Sequence, residues 1–217
     1  SCSGGSGDNG NNDYSSQPLN GNLPQLRSSD TWTTLVDSEE GEYSMTVTIR
    51  GDSSCDGNPC YDAVVEMEPP LNDLIDKLPS KIDAQTLEII SSEFSSEING
   101  TPFKVTISYT YDFSENPYPM EIGKTWTVDV TETTTTNIGG DKTSEVEEKS
   151  YTYKVEGIET INVPAGTFKC FKVQKYNANN DLVLTAWPSN VTKMVHVKEV
   201  DHEEYGTYEL TSYDVHN

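Results

Sequence analysis

Tyr43-Ser44-Met45-Thr46-Val47-Thr48-Ile49 alternates a large apolar side chain with a small polar one over seven residues, and this alternation decides the fold. Successive side chains of a strand point to opposite faces, so Tyr43, Met45, Val47 and Ile49 share the buried side of one strand. The same period recurs at Tyr61, Ala63, Val65 and Met67, at Val105, Ile107, Tyr109 and Tyr111, at Trp126, Val128 and Val130, and at Tyr151, Tyr153 and Val155. Turn signals separate the runs: Gly139-Gly140-Asp141, Pro164-Ala165-Gly166 and Asn179-Asn180-Asp181. A strand also begins at Leu87 and Ile89. Between Thr167 and Tyr176 the apolar phase slips, with Phe168 and Cys170 on one face and Phe171 and Val173 on the other, which requires a bulge or burial on both faces. Two final strands run from Val191 to Val200 and from Tyr205 to Val215. After Pro69-Pro70, the 3/4 spacing of Leu71, Leu74, Ile75 and Leu78 predicts one short helix. The fold class is all-β: about ten mainly antiparallel strands in a strongly curved sheet or open barrel, with that one helix.

Residues 1–28 are rich in Gly, Ser and Asn and read as a flexible tether, leaving 29–217 as a single antiparallel β domain. Hydrophobic residues make up 33% of the chain, below the usual share, yet 12 tyrosines and the regular alternation supply enough burial to fold. The formal charge of −22 repels a phosphate backbone, which excludes nucleic acid as a partner, and favours solubility and association with cations. No apolar run reaches the length of a membrane-spanning helix.

Cys55 and Cys60 flank the turn-forming Asp56-Gly57-Asn58-Pro59 and form a local disulfide made outside the cytoplasm, whereas Cys170 sits in an apolar strand pattern as a buried thiol. Asp52, Ser54, Asp56 and Asn58, with Gly57, repeat the first positions of a calcium loop, but Ala63 stands where a bidentate glutamate is needed. The disulfide is the stronger account of this loop, and calcium there is the one cofactor weighed. Asn99 and Asn190 begin glycosylation triplets. His196 and His202 share a strand face about 20 Å apart, too far for one metal ion, and read as surface residues. No nucleophile elbow, phosphate loop or zinc helix occurs, so an enzyme is not expected.

The first residues, Ser1-Cys2-Ser3-Gly4-Gly5-Ser6-Gly7, look like the lipobox remnant of exported lipoproteins. That resemblance implies diacylglycerol on Cys2, a membrane partner through it, and an extracellular or cell-surface location. Further on, Gly123-Lys124-Thr125-Trp126, then Ile161-Asn162-Val163-Pro164-Ala165-Gly166-Thr167-Phe168-Lys169-Cys170, then Trp187-Pro188-Ser189 resemble uncharacterised secreted proteins related to the bacterial lipoprotein-carrier fold. The resemblance implies a curved antiparallel sheet that sometimes encloses an apolar cavity. A non-catalytic binding or carrier module for an apolar ligand or partner segment follows, with Tyr109, Trp126, Tyr151, Tyr153, Phe168 and Trp187 on the concave face. Ordinary core burial accounts for the same six residues. The alternative is a structural subunit of an extracellular homopolymer, joined by strand addition of the N-terminal tail.

Overall fold

The computed structural model describes residues 12–39, 41–71, 75–98 and 100–216. Thirteen strands follow in chain order: β1 Asp13–Tyr14, β2 Thr31–Ser38, β3 Gly41–Cys55, β4 Asn58–Leu71, β5 Ile75–Asp83, β6 Ile89–Ile98, β7 Thr101–Phe113, β8 Thr125–Ile138, β9 Asp141–Val163, β10 Gly166–Asn177, β11 Leu182–Pro188, β12 His196–Asp201 and β13 Thr207–Asp214. From β2 to β13 each strand pairs antiparallel with the next, and β13 returns to β2, so twelve strands close into an up-and-down barrel. Closure gives every one of these strands two neighbours along at least part of its length. β1 alone is parallel, lying beside Thr167 and Phe168 of β10.

Three expectations change. The strands are more numerous than about ten, the barrel is closed, and no α-helix occurs among the described residues. The segment expected as a helix contributes β5, where Leu78, Ser80 and Ile82 lie opposite Val65, Ala63 and Tyr61. Its helical spacing spans barely two turns, too short to hold a helix in water, while the strand buries Ser80 and Ile82 against β4. Leu87 belongs to the turn before β6 and has φ +64°. The strand expected from Val191 starts only at His196, because Ser189 caps a single 3-10 turn at Asn190–Thr192 and Lys193 and Met194 adopt positive φ. The phase slip in β10 is a bulge against β9 at Lys172/Val173.

The β3–β4 turn is Asp56-Gly57, with φ +51° and +86°, a left-handed pair that matches the twist of the flanking strands. Cys55 and Cys60 form the expected disulfide across it. The bridge closes a loop of sequence separation 5, so replacing both cysteines by serine lowers stability by at most about 2 kcal/mol. Urea unfolding with and without the bridge measures this.

The two barrel ends differ. One carries the β8–β9 turn, the β10–β11 connection and the 202–206 loop; the other carries the disulfide turn, the 84–88 loop, residues 114–124, the β9–β10 turn and the 189–195 segment. Two hydrophobic clusters fill the interior toward this second end. One contains Trp32, Ile49, Phe168, Val197 and Leu210, the other Trp126, Val128, Val155, Phe171 and Val173, and Leu87 packs against both. The β9–β10 hairpin bends across this end: Ala165 N donates to Leu210 O at 3.1 Å, and Ser189 Oγ to Lys169 O at 2.9 Å. Beside it, fully buried Asp30 accepts from Lys193 Nζ at 2.8 Å and from the Arg27 and His216 amides at 2.7 Å each. Lys193 Nζ also donates to Gln25 O and His216 O, tying the N-terminal approach, β12 and the C-terminus together.

Candidate functional site

Strand register determines what faces the barrel interior. Reading across the sheet, Trp126 lies opposite Tyr153, Tyr153 opposite Lys175, Lys175 opposite Leu184 and Leu184 opposite Asp201. The adjoining row runs Val155, Val173, Ala186, Glu199, Tyr208, Val36 and Tyr43. Both rows share the face of the core residues Trp126, Val155 and Val173, so the side chains in them project inward.

Toward the packed end most of these inward positions are buried, Trp126, Val128, Val155 and Val173 among them. Toward the other end they are not: Met45, Met67, Leu78, Phe94, Phe103 and Val105 lie on the same inner face, yet each is only half-buried. The opposite wall there is polar, with Glu132, Thr134 and Thr136 of β8 facing Glu147, Glu145 and Thr143 of β9. The lumen therefore has an apolar wall, a polar wall and a packed floor.

Aromatic rings and charges meet on that floor. Trp126 stacks on Tyr153 with centroids 5.3 Å apart and planes 4° from parallel. Lys175 Nζ stands 3.7 Å from the Tyr151 ring centroid and 5.8 Å from that of Tyr153. On β7, Tyr111 lies 6.1 Å from Tyr109 and 6.0 Å from Phe113, forming an aromatic ladder. His196 Nδ1 is 2.6 Å from Glu199 Oε2. Glu88, on the loop that carries Leu87 into the core, shares an electrostatic neighbourhood with Lys175, His196 and Glu199.

The electrostatics fit a wet but enclosed space. Burial lowers the affinity of Lys175 for its proton, against the opposing pull of Glu88, Glu199, Glu203 and Asp201. Burial raises the Glu88 carboxyl, partly offset by the His196 and Lys175 charges. Burial also acts to lower the His196 value, but the hydrogen bond and charge of Glu199 outweigh it and the net shift is upward. Tyr153 is raised well above its ordinary value by burial. His196 is exposed and Glu88 half-buried, so both keep contact with solvent.

Of the six aromatics read from the sequence, Tyr109, Trp126, Tyr151 and Tyr153 come together on the inner face of β7, β8 and β9. Phe168 does not join them; it is fully buried against Tyr14 and Tyr213 in the other cluster. Trp187 lies on the opposite face of its strand from Ala186, with Nε1 donating to Glu159 Oε2 at 2.8 Å. Glu88, Lys175 and Glu199 had no distinguishing mark in the sequence, Tyr111 was marked only as a member of the β7 alternation, and His196, read as a surface residue, is exposed and lies beside Glu199 of the floor; His202 pairs with Thr185 at 3.1 Å. Cys170 is a buried thiol, its pKa pushed up to about 12 by burial. Asp52 and Ser54 lie in extended β3, Asp56 in the turn and Asn58 at the start of β4, and no group of three His, Cys, Asp or Glu side chains that could hold a metal ion occurs among the described residues. Asn190 Nδ2 donates to Pro18 O at 3.3 Å. Cys2 and Asn99 lie outside the described residues.

One groove opens through the wall. Pairing of β6 with β7 stops at Ser91 and Ser108, so Tyr109–Phe113 has no β6 partner. A cavity of about 640 Å³ lies there, lined by Asn58, Gln85, Thr86, Tyr109, Tyr111 and Phe113 among others.

A family model described as DUF3108-like matches residues 81–195. The chain belongs to the DUF3108-like family. The matched stretch runs from the end of β5 to the residue before β12, so the DUF3108-like portion supplies Glu88, the β7 ladder, Trp126, Tyr151, Tyr153 and Lys175. It also contains the Gly123–Trp126 and Ile161–Cys170 motifs. Two solved structures are similar in outline. One is a candidate exported protein of Bacteroides fragilis with a YmcC-like fold, 11% identical with a TM-score of 0.43, covering 89% of this chain and 99% of its own. The other is a candidate lipoprotein of Parabacteroides distasonis, 12% identical with a TM-score of 0.42, covering 91% and 100% respectively. No curated protein matches.

Proposed function

We propose that this protein is an exported, non-catalytic binding module whose barrel lumen holds an amphiphile, its apolar body along the β3–β7 wall and its polar end at the tyrosine and lysine floor. The observation that carries this reading is the inner face itself. Apolar side chains continue along it beyond the packed core, and among the described residues Met45, Phe94 and Val105 stay only half-buried there. The Cys55–Cys60 disulfide supports a location outside the cytoplasm, where such bridges persist. A lipid on Cys2 would tether the module to a membrane. The homopolymer alternative gains no support from the barrel, in which each strand from β2 to β13 already pairs with two others of the same chain.

A neutral apolar fluorophore, N-phenyl-1-naphthylamine, tests the reading. Val105→Glu places a charge on the inner face and weakens binding about tenfold or more, whereas Thr106→Glu on the outer face of the same strand leaves it unchanged. Equal affinity of the two variants, or no binding by the native protein, overturns the proposal.

A further inference from the structure

We infer that the lumen floor is a seat for an organic ammonium group, and that Lys175 is its internal occupant in the ligand-free protein. This deepens the lumen reading and rests on it. Lys175 reaches the floor from β10 with its ammonium over the face of Tyr151 at 3.7 Å and toward Tyr153 at 5.8 Å. Tyr153 is itself backed by Trp126 at 5.3 Å. Among the described residues the Lys175 ammonium makes no hydrogen bond or ion pair, unlike those of Lys172 and Lys198, which reach carboxylates at 3.0 and 2.8 Å from neighbouring strands. A cation that rests on aromatic faces with carboxylates set farther back is held by the ring quadrupoles and the surrounding field, the chemistry that selects substituted ammonium ligands.

The charge around the seat has the same sign preference. Asp201 lies two strands away in the row of Lys175, Glu199 faces Tyr208 in the next row, and Glu88 and Glu203 stand within electrostatic reach. Against these four carboxylates stand Lys175, His196 and Lys149, the last already paired with Glu147 at 3.0 Å. An anionic head group would enter a field of its own sign, and a cationic one would be drawn in. Lysine carries its charge on a flexible four-carbon stem, so it can yield the ring faces to a ligand and swing toward the open end.

Titration of the full chain with three surfactants of one chain length, all below their critical micelle concentrations, tests the inference: dodecyltrimethylammonium, dodecyl maltoside and dodecyl sulfate. The cation is expected to bind about tenfold tighter than the sulfate, read from Trp126 fluorescence or calorimetry. Because a net charge of −22 attracts any cation to the surface, the deciding variants lie on the floor. Lys175→Met vacates the seat while keeping the stem, and tightens dodecyltrimethylammonium binding severalfold. Tyr151→Leu removes the ring face and weakens it, while Glu148→Gln on the outer face of β9 changes nothing. Tighter binding of the sulfate, lost in Lys175→Met, overturns the inference and makes the floor an anion seat while leaving the lumen reading intact. Unchanged cation affinity in Tyr151→Leu overturns it as well. Failure of all three surfactants to bind overturns the lumen reading itself.

Discussion

Asp30→Ala is expected to lower the stability of the fold by about 3–5 kcal/mol, measured as a shift in the urea unfolding midpoint. The carboxylate is wholly covered, accepts from Lys193 Nζ and from the Arg27 and His216 amides and lies 3.3 Å from His216 Nδ1, and its loss leaves the Lys193 ammonium, itself nearly covered, without its counter-charge. Removing both charges is milder than removing one, so Asp30→Ala combined with Lys193→Met costs less than the sum of the single changes. Acid provides a second measure. Burial pulls the Asp30 carboxyl up, but the hydrogen bond from Lys193, the His216 and Arg27 amides and the Lys193 charge outweigh it and hold the pKa below its usual value. A carboxyl depressed in the folded state contributes fully above its unfolded pKa, near about pH 4, and that contribution is lost as pH falls through the folded value. The stability gap between native protein and Asp30→Ala should therefore be constant at neutral pH and narrow below about pH 4. A gap that stays constant down to pH 2 would show that the carboxylate charge contributes nothing there.

Phe168→Ala is expected to cost about 3–5 kcal/mol, the loss of a wholly buried ring plus the cavity it leaves. The ring stacks on Tyr14 at 5.1 Å and meets Tyr213 edge-on at 5.8 Å, so the change also loosens β1 and the end of β13 from the barrel. Tyr151→Leu, at a half-exposed lumen position, should cost no more than about 1 kcal/mol while it alters surfactant binding. The pair separates core from ligand surface among residues that looked alike in the sequence. If Phe168→Ala kept its stability and lost binding instead, Phe168 would be a ligand contact and the division of the interior drawn above would fail.

Tyr109, Tyr151, Phe168 and Trp187 were indistinguishable as alternating aromatics, because period 2 says that a side chain shares a face with its neighbours but not what that face meets. The β10 bulge turns Phe168 into one cluster and Lys175 toward the other, a switch visible in sequence only as a slipped phase. The apparent helix at Leu71 to Leu78 failed for a related reason: four apolar residues over two turns satisfy the helical period by chance, and pairing with β4 supplies more burial than an isolated turn can. Lys175 carried no local mark at all, since a lysine in a strand reads as solvated until its partners across the sheet are known.

What the sequence determined by itself is local. Side-chain alternation, the Asp56-Gly57 and Gly139-Gly140 turns, the Cys55–Cys60 bridge and the buried Cys170 depend on neighbours a few residues away, and short-range sterics and hydrophobic patterning suffice to set them. Only the tertiary structure decided that β13 closes on β2, that Asp30 meets Lys193, and that Glu88, Tyr151, Lys175 and Glu199 share one floor. Those contacts join distant parts of the chain, and what selects them is the fit of whole strands in register around a common interior, which no short window of sequence contains.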